Sequence, residues 1–124
     1  MTLHDRPTAT ELVAAVREYL ERDVKTTTEG RVAFHARVAV NVLGMVEREL
    51  ELGAAQDIEE HDRLVALLGR DGTVRELTEV LARGIRDGSV EIPWSDTVAA
   101  VRETVRAKLE VANPRWLDAP KERT

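Results

Sequence analysis

His35 has the residue type and position most suggestive of chemistry. At about 100° per residue, it falls on the apolar side of a helical segment, near Ala39, Val42 and Val46, with Arg31 and Glu49 at a similar azimuth. An imidazole in a hydrophobic setting can be tuned for proton transfer. The sequence sets no nucleophile or oxyanion donor beside it. Two readings stay open: a core histidine with one or two hydrogen bonds, or a base in an apolar pocket that holds a ligand such as an acyl chain.

The other candidate constellations are weaker. His61-Asp62 faintly resembles the His-Asp pair of helical metal-dependent phosphohydrolases, with His35 upstream and Asp87 or Asp96 downstream as conceivable ligands. A metal needs several ligands converging on one point, dipeptides of this kind arise by chance, and a solvated helix face accounts for this one better. Ile58, not Glu, stands three residues before His61, so the Glu-x-x-His signature of di-iron bundles is missing. Neither Gly69–Gly72 nor Gly84–Gly88 carries the Lys-Ser or Lys-Thr pair of a phosphate loop. No resident cofactor or metal is expected.

Recognition chemistry is better represented. Arg37, Asn41, Gly44, Arg48 and Glu51 recur every three or four residues, so one polar edge runs along an otherwise apolar helix. That edge either faces water or meets a partner, with Arg forking onto carboxylates. Gly44 costs helix stability and permits close approach of a neighbouring backbone. Trp94 and Trp116 bracket the last helix, and Arg115 adjoins the second. Such tryptophans either seal a core or anchor an interface.

The element that must position most of these residues is an apolar helix from about Arg31 to Leu52, closed by Gly53 at a C′ position. Val32, Ala36, Val38, Ala39, Val42, Leu43, Met45, Val46 and Leu50 cover well over half its circumference, which predicts burial on several sides. Before it, Met1–Pro7 reads as an arm. Thr8 with Glu11 then forms a capping box for a first helix carrying Leu12, Val13, Val16, Leu20 and Val24. Thr26–Thr28 and Gly30 predict a turn.

Beyond Gly53, a third helix is expected from about Ala55 to Leu68, ended by Gly69, and Thr73 with Glu76 repeats the capping box before a fourth that stops at Asp87-Gly88. Ser95 caps a fifth, whose Val98, Val101, Val105, Leu109 and Ala112 form a stripe expected to face inward. Asn113-Pro114 ends it, and residues from Asp118 read as a flexible tail. No run reads as a strand. The expected fold is all-α: a single-domain bundle, 1–124, of about five helices around the apolar helix at about 31–52.

Totals narrow the function classes. In 124 residues with 43% hydrophobic content there is room for one core. Without cysteine, disulfides, zinc-thiolate sites and thiol catalysis are excluded, and a reducing cytoplasm fits. The net charge of -5, with arginines scattered among carboxylates, provides no basic footprint for nucleic acid. Nothing reads as a secretory leader or a membrane span.

Four stretches carry a family resemblance: Arg6-Pro7-Thr8-Ala9, the run from Arg31 to Asn41, the run from Glu47 to Gly53, and the run from Lys108 to Leu117. Together they resemble the DUF6285 family of small bacterial proteins. The resemblance implies a neighbourhood with an aminoglycoside-phosphotransferase-like kinase and an acyl-CoA dehydrogenase. It is similar to the small subunit accompanying a hydroxyacyl-CoA kinase, whose large chain carries the phosphoryl-transfer residues. It therefore implies a non-catalytic accessory subunit for a kinase acting on 4-hydroxyacyl-CoA in acid catabolism, with no catalytic residue to carry over. Arg37, Asn41, Arg48, Trp94, Arg115 and Trp116 are the candidate partner-binding residues. Two rivals stand beside this expectation: a ligand-binding bundle or enzyme using His35, and a self-associating helical protein.

Overall fold

A computed structural model describes residues 3–118 of the chain, and among these the secondary structure is helical, with no strand. Helix α1 (Ala9–Tyr19) runs into a π-helical turn (Leu20–Val24) and a short α2 (Lys25–Thr27). Then follow α3 (Gly30–Leu68), α4 (Val74–Asp87), α5 (Trp94–Ala112) and a 3-10 turn (Pro114–Leu117). The all-α class expected from periodicity is the one observed. Residues 1 and 2 of the expected arm, and the expected tail beyond Asp118, lie outside the described residues. The chain divides into two compact units: the described residues up to Gly53 with Val111–Asn113, and Ala54–Glu110 with the residues from Pro114.

In the first unit the capping box forms as expected. Thr8 Oγ1 accepts from the Glu11 amide at 3.1 Å, and the Thr8 amide donates to Glu11 Oε1 at 3.3 Å. Arg6 forks onto the same carboxylate at 3.1 and 2.7 Å. With the Arg6 hydrogen bond as the largest cause and the Thr8 amide next, the Glu11 carboxyl is lowered to about 2. Downstream, the expected turn comes later than Thr26. The hydroxyls of Thr26, Thr27 and Thr28 donate back to the carbonyls of Arg22, Asp23 and Val24, and the helix runs on to Thr27. Gly30, at φ 62°, opens α3.

Two expectations for the apolar helix are corrected. First, it does not stop at Gly53: α3 is continuous from Gly30 to Leu68, and Gly53 is absent from the glycines of positive φ. Ala54, Ala55 and Gln56 are strong helix formers, so the roughly 1 kcal/mol cost of one internal glycine is absorbed. Gln56 also anchors the segment through its side-chain amide, which donates to the Ala107 carbonyl at 2.9 Å. Second, the stretch before Gly53 is not buried on several sides. Ala36 is buried, whereas Val32, Phe34, Val38, Val42, Met45 and Leu50 are exposed. Within its unit α3 is tied to α1 by the Arg17–Glu47 ion pair and to the Val111–Asn113 segment by Arg48 Nε, which donates to the Val111 carbonyl at 2.7 Å. Those two supports leave one flank uncovered.

The second unit holds the main core of Leu64, Leu77 and Leu81, with Val65, Leu67, Leu68, Val74 and Val90 packed against it. Gly69 and Gly88, at φ 66° and 74°, end α3 and α4 as expected. Thr73 Oγ1 accepts from the Glu76 amide at 3.1 Å and so caps α4. Helix α5 starts at Trp94, so Ser95 lies in its first turn and is not its cap. The Pro93 carbonyl accepts from the Asp96 and Thr97 amides at 3.0 and 3.2 Å.

The inward face of α5 is also corrected. Thr97 and Ala100 are buried, with Thr104 and Ala107 half-buried beside them, while Val101 and Val105 are exposed. Polar bonds to α3 set this face: Thr104 Oγ1 donates to Glu60 Oε1 at 2.6 Å, and Gln56 reaches the Ala107 carbonyl and Glu110. Small side chains allow the close approach that such bonds need.

Candidate functional site

The rotation of α5 leaves its valines facing a groove in the second unit. Ile85 of α4 and Trp94, Val98, Val101, Arg102 and Val105 of α5 line a largely apolar hollow of about 410 Å3. Trp94 is 68% exposed, so it does not seal a core. Thr97 also lines the groove; it is 1% exposed, and its hydroxyl oxygen has no hydrogen-bond partner among the described residues. An indole of this size held out to water beside exposed valines is the side-chain set that anchors protein interfaces. In the same unit Trp116 is 67% exposed, and Arg115, also exposed, precedes it in the 3-10 turn.

The polar edge of α3 splits. Arg37 and Asn41 are exposed and available. Arg48 is engaged by the Val111 carbonyl, and its guanidinium passes 3.4 Å from where a Cβ on Gly44 would lie. Gly44 thus makes room for a side chain of its own helix, and among the described residues no neighbouring backbone approaches it.

His35 is exposed, contrary to the core reading, and meets Phe34 edge-on with ring centroids 5.5 Å apart. It sits at an apolar cleft of about 460 Å3 lined by Leu20 and Val24 of the π-helical turn and by Arg31, Val32, Ala36 and Ala39 of α3. The π turn, a feature frequent at functional sites, has no signature in the sequence. Leu20 and Val24, spaced as ordinary helix positions, give no hint that a wider turn carries them.

His61 bridges two carboxylates, with Nδ1 3.3 Å from Asp62 Oδ1 and Nε2 3.1 Å from Asp71 Oδ1. Hydrogen bonding to Asp62 first, then to Asp71, raises its pKa. The Gly72 amide and His61 together lower that of Asp71. The arrangement fastens the loop after α3. Among the described residues no group of three or more His, Cys, Asp or Glu side chains could hold a metal ion, and no helix is long and apolar enough to cross a membrane.

Residues 26–116 match the model of the family described as a domain of unknown function, DUF6285. No curated protein and no solved structure matches the chain.

Proposed function

The chain belongs to the DUF6285 family, and on that basis we propose that it is a cytoplasmic, non-catalytic accessory subunit that docks on an aminoglycoside-phosphotransferase-like kinase acting on 4-hydroxyacyl-CoA. The observation that carries the docking reading is the groove of Ile85, Val98, Val101 and Val105 beside the exposed Trp94. Support for a kinase as the partner comes from the family resemblance in sequence. In physical terms the kinase inserts an apolar segment beside Trp94 and closes the groove. Burying a large aromatic there contributes roughly 2–4 kcal/mol at a well-packed centre. Tighter docking to the active arrangement of the kinase than to its inactive one then shifts the kinase toward activity.

Co-expression with the neighbouring kinase tests this. The expected result is co-purification of the two chains and kinase activity that depends on the small one, both weakened by Trp94→Ala. Full activity and stability of the kinase alone would remove the proposal.

A second reading has its own observation, the apolar cleft at His35. It makes the chain a binder of an acyl chain, with Arg31 and His35 at the polar end. Binding of a fluorescent fatty acid, lost in His35→Ala without loss of helicity, supports that reading. Absence of binding to the wild type removes it.

A further inference from the structure

We propose that the uncovered flank of α3 in the first unit is a homodimer interface, on which a second copy of the chain lies antiparallel. Two apolar faces run along this stretch of α3. Ala36, Ala39, Leu43 and Val46 form one, buried or half-buried. Phe34, Val38, Val42 and Met45 form the other, at spacings of four, four and three, and all four are exposed. An apolar stripe of three turns held in water is unusual for a monomer.

The charges on the stripe indicate what covers it. Arg31 and Glu49 flank it at its two ends and stand five helical turns apart, so they share one azimuth. Both are exposed, and among the described residues neither makes an ion pair within its own chain. Midway between them, at the level of Val40, an antiparallel two-fold axis would set Val38 against Val42 of the second copy and His35 against its Met45. The same operation places each Arg31 opposite the other copy's Glu49, about 13 Å from the axis on either side. A parallel, in-register pair would set Arg31 on Arg31 and Glu49 on Glu49, which like-charge repulsion disfavours. The stripe is thus complementary to itself in one orientation, which is the requirement for an isologous contact. An unrelated partner would not need opposite charges equidistant from a centre.

The test uses the full chain and sedimentation equilibrium, with circular dichroism as the check on folding. At about 0.1 mM, a concentration that saturates an interface of micromolar affinity, the wild type is expected at twice its 13.9 kDa chain mass. Arg31→Glu and Glu49→Arg, each introducing two like-charge pairs per dimer, should weaken association at least about tenfold. The double variant R31E/E49R should restore it to within about threefold of wild type. Trp94→Ala, in the other unit, should leave the dimer unchanged. A monomeric wild type, single variants that dimerise as tightly as wild type, or a double variant no tighter than the singles would each overturn the proposal.

Discussion

Replacing Gly53 by alanine reports directly on the continuity of α3. A helix-interior glycine costs about 1 kcal/mol relative to alanine, because more backbone freedom is lost on folding. A Cβ built on Gly53 would meet Glu49 Cγ at 3.7 Å, an ordinary van der Waals contact, so nothing offsets the gain. Gly53→Ala should therefore stabilise the chain by about 1 kcal/mol and raise the melting temperature by about 4 °C. Were Gly53 a left-handed helix terminus, the same change would cost roughly 1–2 kcal/mol, since L-residues are disfavoured there. The two geometries differ in sign as well as size. Urea denaturation followed by circular dichroism measures the change. Hydrogen exchange at the Asp57 amide, which a continuous helix bonds to the Gly53 carbonyl, gives an independent reading. A destabilised variant together with a fast-exchanging Asp57 amide would refute the reasoning.

Gly84→Ala should act in the opposite direction, because the new Cβ would fall 2.1 Å from Val90 Cγ2, on a stiff β-branched side chain whose amide bonds the Gly84 carbonyl at 3.3 Å. A loss of about 1–3 kcal/mol is expected; a double-mutant cycle with Val90→Ala should show much of it recovered, and a neutral Gly84→Ala would contradict the packing. Thr97→Val removes a buried hydroxyl that has no partner among the described residues, so denaturant unfolding should show stability raised by about 1 kcal/mol. For His61, NMR titration should place the imidazole midpoint above its ordinary value, and Asp71→Asn should lower it. With the folded pKa raised, the contribution of His61 is full below the unfolded pKa and is lost as pH rises through the folded one; His61→Gln should remove that segment of the pH-stability curve. Glu11 acts the other way: its contribution is present above the ordinary carboxylate range and is lost as pH falls toward about 2.

Much of the fold is legible in the sequence where the determining chemistry is local. Thr8 with Glu11 caps α1, Gly69 and Gly88 end helices in the left-handed conformation, and Asn113-Pro114 ends α5, because each depends on residues within a turn of one another. Gly53 misleads because an internal glycine and a terminal one look alike in sequence; the helix formers Ala54, Ala55 and Gln56 favour continuation locally, but the bond from Gln56 to the Ala107 carbonyl that anchors the segment joins residues far apart in the chain. The candidate site is legible in residue type and less so in role. Trp94, Arg115 and Trp116 stand out by type as possible anchors, and all three are exposed. Arg48 is occupied at home, and His35 stands at a cleft where burial is one expectation from its azimuth.

The sequence by itself determined that the chain is helical, where most helices begin and end, and that thiol chemistry is absent. These follow from propensity, capping and composition, which are properties of neighbouring residues. Only the tertiary structure decided which apolar stripes are covered. Val98, Val101 and Val105 have the periodicity of a core face, yet the bonds of Thr104 to Glu60 and of Gln56 to Ala107 turn small residues inward and leave Val101 and Val105 in water. Apolar residues recurring every three or four positions establish that a helix has a greasy side, whereas burial depends on which polar groups must be satisfied when that helix meets another.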